Sequence, residues 1–233
     1  MNEAGLDTIW DLLQQDLGNR GLRADPTANL ITACPGDLTT ACRSICDTPE
    51  PVLGIVTGFY IPHATPPCGE TDGPLGALFL ARAFLPLGIK VLFATDAFCV
   101  PALRAGLTAC GLAGAVPLIT LPTFPESNRL SPQGYTEWFS GQMRAHVGLL
   151  THLIALERAG PSHTPASVRS QLGSTPADWA QFLAEVPPPD YDRCHTMKGR
   201  DITPHMSPAH WLFEELPKTL ALQTIGIGDG GNE

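Results

Sequence analysis

Five short runs of apolar residues stand out along the chain, and none shows the polar alternation of a half-exposed strand. Such runs are typical of strands buried on both faces, as in a parallel sheet covered by helices. The five predicted strands are Val52–Thr57, Val91–Thr95, Val116–Leu121, His152–Leu156 and Thr224–Gly228. The pattern therefore predicts a mostly parallel sheet at the core.

Between most of these runs, apolar residues recur at helical spacing. Proline and hydroxyl residues open several of the segments, as they do in first helical turns. The predicted helices are Leu75–Leu87, Ala97–Cys110, Gly141–Leu150, Thr175–Val186 and Ser207–Leu216. Strands alternating with helices indicate right-handed βαβ units. We therefore predict one α/β domain over residues 1–233, with helices on both faces of the sheet in a three-layer, Rossmann-like arrangement.

Two polar, proline-rich stretches interrupt this alternation, Pro122–Gln133 and Pro187–Pro208. Loops of this length inside compact domains are often functional. The last predicted strand runs into Gly228–Glu233 with no helix after it. We therefore expect the domain to be truncated at its C-terminal end.

The composition excludes several classes of protein. Of 233 residues, 43% are hydrophobic and 16% are charged, and the formal net charge is −9. An acidic surface repels nucleic acid and anionic lipid, so we expect neither nucleic acid nor a membrane as a partner. The odd cysteine count and the lack of a C-x-x-C pair argue against a disulfide framework and a cysteine zinc site. No signal or transit peptide is visible at the N-terminus, so we expect a cytoplasmic protein.

Acidic residues follow four of the five predicted strands. They are Glu70 and Asp72 after the first, Asp96 after the second, Glu157 after the fourth, and Asp229 and Glu233 after the last. Ligands of open parallel sheets bind beyond the carboxyl ends of the strands. Clustered carboxylates there either bind a hard cation such as Mg²⁺ or Mn²⁺, or hold an amine and act as acid and base. The candidate metal ligands are Asp96, Asp229 and Glu233.

The loop from Gly69 to Gly73 is the most specific candidate among these strand-end segments. Its glycines allow close approach of a ligand. Pro74 then opens a helix, whose free N–H groups attract a carboxylate or phosphate. Two acids beside an anion site suit a zwitterionic ligand. The alternative is that Asp72 only caps the helix while Glu70 is solvated.

Two further clusters carry candidate binding groups. Arg158 could bind a carboxylate through two hydrogen bonds, or could form a surface ion pair with Glu157. His195 could move a proton near neutral pH. Lys198 and Arg200 beside it could bind an anion, or all three could belong to a solvated polar loop.

Several motifs together resemble the C-terminal domain of the D-glutamate cyclase family. They are Asp16–Gly21, Thr57–Phe59, Glu70–Pro74 with Gly76-Ala77, Ala155–Gly160 and Gly226–Glu233, and they follow the family's order. The resemblance implies conversion of D-glutamate to 5-oxo-D-proline with loss of water. In that reaction the α-amine attacks the γ-carboxyl carbon and the ring closes.

This chemistry needs a base for the amine, donors for the developing oxyanion and an acid for the departing oxygen. Asp72 or Glu157 could be the base and His195 the acid. The substrate-binding candidates are Glu70, Thr71, Gly73, Arg158, Lys198, Arg200, Asp229 and Asn232.

Two alternatives to the lyase stay open. Some members of the family carry a separate N-terminal domain that also bears the cyclase name. The chain could therefore be a non-catalytic binding or regulatory module for an acidic metabolite. It could also be a metal-dependent enzyme acting on a phosphorylated substrate. We expect a small acidic amino acid as the partner, and leave open a divalent cation and a homo-oligomer.

Overall fold

The computed structural model describes residues 3–13, 15, 34–127 and 129–228. The chain divides into two compact units, Met1–Pro51 and Val52–Glu233. In the first unit the described helices are α1 (Glu3–Leu13) and α2 (Asp37–Asp47). Gly36 precedes α2 with a φ of 82°, a left-handed conformation that glycine adopts without steric cost. The single domain over residues 1–233 stays a prediction.

The second unit is built on a five-stranded sheet whose paired strands all run parallel. Its strands are β1 (Val52–Thr57), β4 (Lys90–Asp96), β5 (Leu118–Leu121), β6 (His152–Leu156) and β7 (Gln223–Ile227). Their order is β5-β4-β1-β6-β7. A short antiparallel hairpin, β2 (Tyr60–Ile61) with β3 (Cys68–Gly69), follows β1. The predicted α/β fold with a parallel sheet is confirmed.

Helices surround this sheet. They are α3 (Asp72–Phe84), α4 (Val100–Ala109), α5 (Phe124–Ser127), α6 (Pro132–His146), α7 (Pro165–Ser170), α8 (Pro176–Glu185) and α9 (His210–Thr219). Single 3₁₀ turns occur at Leu85–Leu87, Pro188–Asp190 and Thr203–His205. No helix within the described ranges combines the length and the apolar character needed to cross a membrane.

The main core lies where α6 and α9 pack on the sheet. Val56 and Leu92 of the strands meet Phe139 and Met143 of α6 and Leu212 of α9 there. Strand side chains alternate between the two faces. The opposite face receives α3 and α4, since α3 packs on β1, β4 and β6 and α4 packs on β5. Burial on both faces explains the continuous apolar runs of β1, β4 and β6. The prediction was wrong for β7, which lies at the edge of the sheet and is mostly exposed.

Several helix boundaries differ from the prediction. Helix α6 begins at Pro132 rather than Gly141, because the Ser131 side chain accepts the N–H of Gly134 and proline occupies the first turn. The predicted loop Pro122–Gln133 therefore contains α5 and the start of α6. Helix α4 begins at Val100 rather than at the predicted Ala97, with Pro101 in its first turn.

The strand order reverses between β1 and β6. After β1, the chain continues to β4 and β5 on one side, whereas β6 and β7 lie on the other. In open α/β sheets, such a reversal opens a ligand-binding crevice at the carboxyl ends of the two strands. The residues at this position are Thr57 and Gly58 after β1, and Glu157 and Arg158 after β6.

A second, smaller apolar cluster lies beyond the carboxyl ends of the strands. Its buried members are Phe59, Ala159, Cys194, Ile202 and Met206. Phe98, which follows β4, and Phe124, which follows β5, pack against it. Side chains near the end of β4 are therefore shielded from solvent.

Candidate functional site

The segment after β1 returns to the edge of the sheet through the hairpin. The N–H of Glu70 donates a hydrogen bond to the carbonyl O of Phe59 (2.8 Å). Helix α3 then begins at Asp72 rather than at the predicted Leu75. Glu70 is half-buried, and Thr71 and Asp72 are exposed. The structure thus places the predicted acidic loop at the N-terminus of α3.

Asp72 contributes to the first turn of α3. Its Oδ1 accepts the N–H of Gly73 (3.0 Å), and a carboxylate at this position is favourable beside the positive end of the helix dipole. The N-cap residue is Thr71, and its side chain makes no capping hydrogen bond, so the capping role considered for Asp72 stays a prediction, as does its catalytic role.

Gly73 is required by the close packing of α3 on the sheet. A Cβ on Gly73 would lie 2.5 Å from Oγ1 of Thr57 and 2.9 Å from Cβ of Glu157. Real Cβ atoms essentially never approach other atoms this closely, so a side chain at position 73 would push α3 away. Glu157 therefore lies against the N-terminus of α3, which brings two predicted site residues together.

Asp96 and Arg158 form a buried ion pair below this edge. Their side chains are 0% and 4% exposed. Nη1 of Arg158 donates to Oδ2 of Asp96 and to the carbonyl O of Gly58 (3.1 Å), and Nη2 donates to Oδ1 of Asp96 (3.2 Å). The pair therefore joins the ends of β1, β4 and β6.

Ser207 completes this arrangement, although no motif in the sequence pointed to it as a site residue. Its N–H donates to Oδ1 of Asp96 (2.7 Å). Its Oγ and its carbonyl O accept from Nη2 of Arg158 (2.8 and 3.1 Å). We call these three residues the Asp96–Arg158–Ser207 network. It also fixes the segment before α9, which begins at His210 rather than at the predicted Ser207.

The network bears on both interpretations of Arg158, as a substrate-binding residue and as a surface ion-pair partner of Glu157. Burial lowers the pKa of Arg158 to about 10, so the side chain remains protonated at neutral pH and can neutralise Asp96. The surface ion pair considered for Arg158 with Glu157 is wrong, because the guanidinium group lies in the interior. Its carboxylate partner in this structure is Asp96, and a substrate contact stays a prediction.

The predicted metal site is only partly within the described residues. Both carboxylate oxygens of Asp96 are engaged by Arg158 and Ser207. Among the residues that the structure describes, no group of three or more His, Cys, Asp or Glu side chains is placed to hold a metal ion. Asp229 and Glu233 lie outside the described residues, so the metal site they would complete with Asp96 stays a prediction. Asn232, predicted to bind substrate, also lies outside the described residues.

Glu157 has an unusual backbone conformation. Its φ is 47°, in the left-handed region that residues other than glycine seldom adopt. Its N–H donates to the carbonyl O of Ile227 in β7 (2.9 Å). Conformations of this kind persist where the surrounding structure fixes them, and they cluster at functional sites.

His195, Lys198 and Arg200 belong to one tight turn. The N–H of Ile202 donates to the carbonyl O of Cys194 (2.8 Å), and that of Thr196 to the carbonyl O of Arg200 (3.0 Å). Lys198 and Arg200 are exposed. The structure thus presents both cations to solvent on one turn, which we call the 194–202 turn.

His195 is flanked by acidic residues. Its Nε2 lies 3.9 Å from Oδ1 of Asp190, and its backbone bridges to Asp201. Partial burial acts to raise the pKa of Asp201, but hydrogen bonds from Thr203 and the nearby Arg193 and His195 lower it overall.

Together, the parallel sheet and the crevice where its strand order reverses define an α/β domain with a strand-end site. The model of the family described as "D-glutamate cyclase-like, C-terminal" matches residues 9–179 and 186–233. The chain therefore belongs to this family, which confirms the resemblance drawn from the motifs. No curated protein matches the chain. The first motif, Asp16–Gly21, lies outside the described residues, as do the last residues of the final motif.

Proposed function

We propose that the chain is a carbon–oxygen lyase that converts D-glutamate to 5-oxo-D-proline and water. One observation carries the proposal. In a chain of the D-glutamate cyclase-like family, Glu157 lies against the N-terminus of α3 at the point where the strand order reverses. Ligands of open α/β sheets bind at this point.

The reaction transfers two protons from nitrogen to oxygen. The C–N bond of the ring forms between the α-amine and the γ-carboxyl carbon, and one C–O bond of that carboxyl group breaks. The two protons lost by the ammonium group leave with the oxygen as water. A single carboxylate can carry both protons in turn, so we propose Glu157 as the general base and then the general acid. His195 remains the second candidate for the acid.

D-Glutamate also carries two carboxylates, which need cationic partners. Arg158 already binds Asp96 in the interior. We therefore propose Lys198 and Arg200, both exposed on the 194–202 turn, as the side chains that bind the substrate carboxylates. Thr71 and the first N–H groups of α3 are the neutral donors proposed beside Glu157.

The test is to incubate the purified chain with D-glutamate or L-glutamate, with and without Mg²⁺ or Mn²⁺, and to separate the products by chiral chromatography. The expected product is 5-oxo-D-proline, from the D-isomer only. No product under any of these conditions would refute the lyase. Calorimetric binding of D-glutamate without turnover would instead support the binding module, and strict dependence on the added cation would favour a metal site.

Substitution of Glu157 tests its role within an active enzyme. Glu157→Gln should lower kcat by about 10²-fold or more, the usual contribution of a general base. Glu137→Gln is the matched control, since it removes the same charge from an exposed position on α6. Equal kcat values for the two variants would remove Glu157 from the mechanism.

A further inference from the structure

We infer that Arg158 is a positioning residue, which acts through Asp96 and Ser207 to hold Glu157 against the N-terminus of α3. On this account Arg158 does not contact the substrate. The kinetic part of the inference rests on the proposed function, and its structural part can be tested without turnover.

The first argument is that the terminal nitrogens of Arg158 are fully used inside the protein. Nη1 carries two N–H bonds and has two acceptors, Asp96 and the carbonyl O of Gly58. Nη2 also carries two N–H bonds and has three acceptors, one on Asp96 and two on Ser207. A substrate carboxylate bound end-on by both terminal nitrogens would have to displace Asp96. That exchange would leave a buried, unpaired carboxylate, which is costly.

The second argument concerns the backbone between the two residues. The left-handed conformation of Glu157 costs free energy for a residue with a side chain, and persists only where its neighbours fix it. On one side, the N–H of Glu157 is bound by β7 through the carbonyl O of Ile227. On the other side, the next residue is anchored by its guanidinium group to β4 and to the segment before α9. The network therefore restrains Glu157 through the residue that follows it.

The third argument is the close contact between Glu157 and the first turn of α3. Its Cβ lies so close to Gly73 that a methyl group at position 73 would not fit. A change in the backbone of Glu157 would move its carboxylate relative to the first turn of α3. Misplacement of a reacting group by about 1 Å can lower a rate by about 10²-fold. Loss of the network should therefore reduce kcat more than it weakens substrate binding.

Kinetics of Ser207→Ala and Arg158→Lys separate positioning from substrate contact. Ser207→Ala removes one acceptor of Arg158 and leaves the charges in place, so we expect kcat to fall by about tenfold to a hundredfold with KM changed by less than about twofold. Arg158→Lys should behave in the same way, since lysine keeps the charge but not the forked geometry. Thr136→Ala is the control, because it removes a buried hydroxyl group from α6 and should leave both constants unchanged.

A rise in KM of about tenfold or more for Arg158→Lys, with kcat unchanged, would overturn the inference and place Arg158 in contact with the substrate. The same would follow if Ser207→Ala had wild-type kinetics. Neither result would affect the proposed lyase activity, which the wild-type protein tests alone.

Hydrogen exchange provides the test if the wild-type protein shows no turnover. Ser207→Ala should raise the exchange rate of the Glu157 amide, while amides in the middle of β4 keep their wild-type rates. This result would support the positioning role even if the proposed reaction is wrong. Unchanged exchange at Glu157 in a folded Ser207→Ala protein would overturn it.

Discussion

His210 should make the stability of the fold depend on pH. It begins α9 with its ring partly buried beside Phe124 and Trp211, at centroid distances of 6.0 and 5.6 Å. Burial lowers the pKa of His210 from 6.5 to about 4, while the charges of Asp192 and Arg158 act in opposite directions on it. In the unfolded chain the imidazole regains its ordinary pKa of about 6.5. Between these two pKa values the folded protein holds a neutral ring, whereas the unfolded chain binds a proton.

The sign and the size of the effect follow from proton linkage. The unfolded state binds more protons between pH 6.5 and about 4, so stability is full above this interval and decreases as the pH falls through it. One proton changes the free energy of unfolding by about 1.4 kcal/mol for each pH unit. Over an interval of about 2.5 pH units, from 6.5 to about 4, the loss is about 3 kcal/mol.

Urea denaturation followed by tryptophan fluorescence can measure this loss. The wild-type protein would be compared with His210→Gln, whose side chain is neutral at every pH, at several values from about pH 7.5 to about pH 4. Titrations of other groups occur in both proteins and cancel in the difference. The variant should gain about 3 kcal/mol relative to wild type across the range. Parallel pH profiles would refute the argument that burial holds this ring neutral.

Phe139→Ala deletes a fully buried ring from the main core and should lower the free energy of unfolding by about 3–5 kcal/mol in urea titrations. Phe79→Ala, at an exposed position of α3, should change it by less than about 0.5 kcal/mol, and similar losses for the two would contradict the described core. Thr175→Ala removes the side-chain acceptor of the Asp178 N–H in the capping box that opens α8 and should cost about 1 kcal/mol, whereas wild-type stability would show that this hydroxyl contributes nothing. Burial raises the pKa of the Cys99 thiol to about 11, so iodoacetamide near neutral pH should modify the exposed Cys68 well before Cys99, as judged by mass spectrometry. Equal labelling of the two would show that Cys99 is accessible.

The sheet could be predicted because its physical cause is local. A strand buried on both faces must be apolar throughout, and β6 matches the prediction residue for residue at His152–Leu156. The start of α6 could also have been predicted from the local sequence, since Ser131-Pro132 has the same capping pattern as Thr175-Pro176 of α8. The polar, proline-rich composition around Ser131-Pro132 favoured a loop, and this interpretation was wrong.

The candidate site was less accessible to sequence reasoning. The carboxylates at the strand ends follow from topology, which the strand pattern predicts. The burial of Arg158 does not follow, because its partners Asp96 and Ser207 are 62 and 49 positions away in the chain. Its neighbour Glu157 suggested a surface ion pair instead. The left-handed backbone of Glu157 was equally hidden, because the surrounding fold imposes this conformation on the residue.

The Asp96–Arg158–Ser207 network has a consequence for the order of folding. Ser207 is 111 positions from Asp96, and Arg158 is 100 positions from Gly58. Closing loops of this length costs chain entropy that only extensive long-range structure repays. The network can therefore form only once β1, β4 and β6 are paired and the segment before α9 has returned to the sheet. We therefore expect the geometry of the candidate site to be set late in folding, after these three strands have paired.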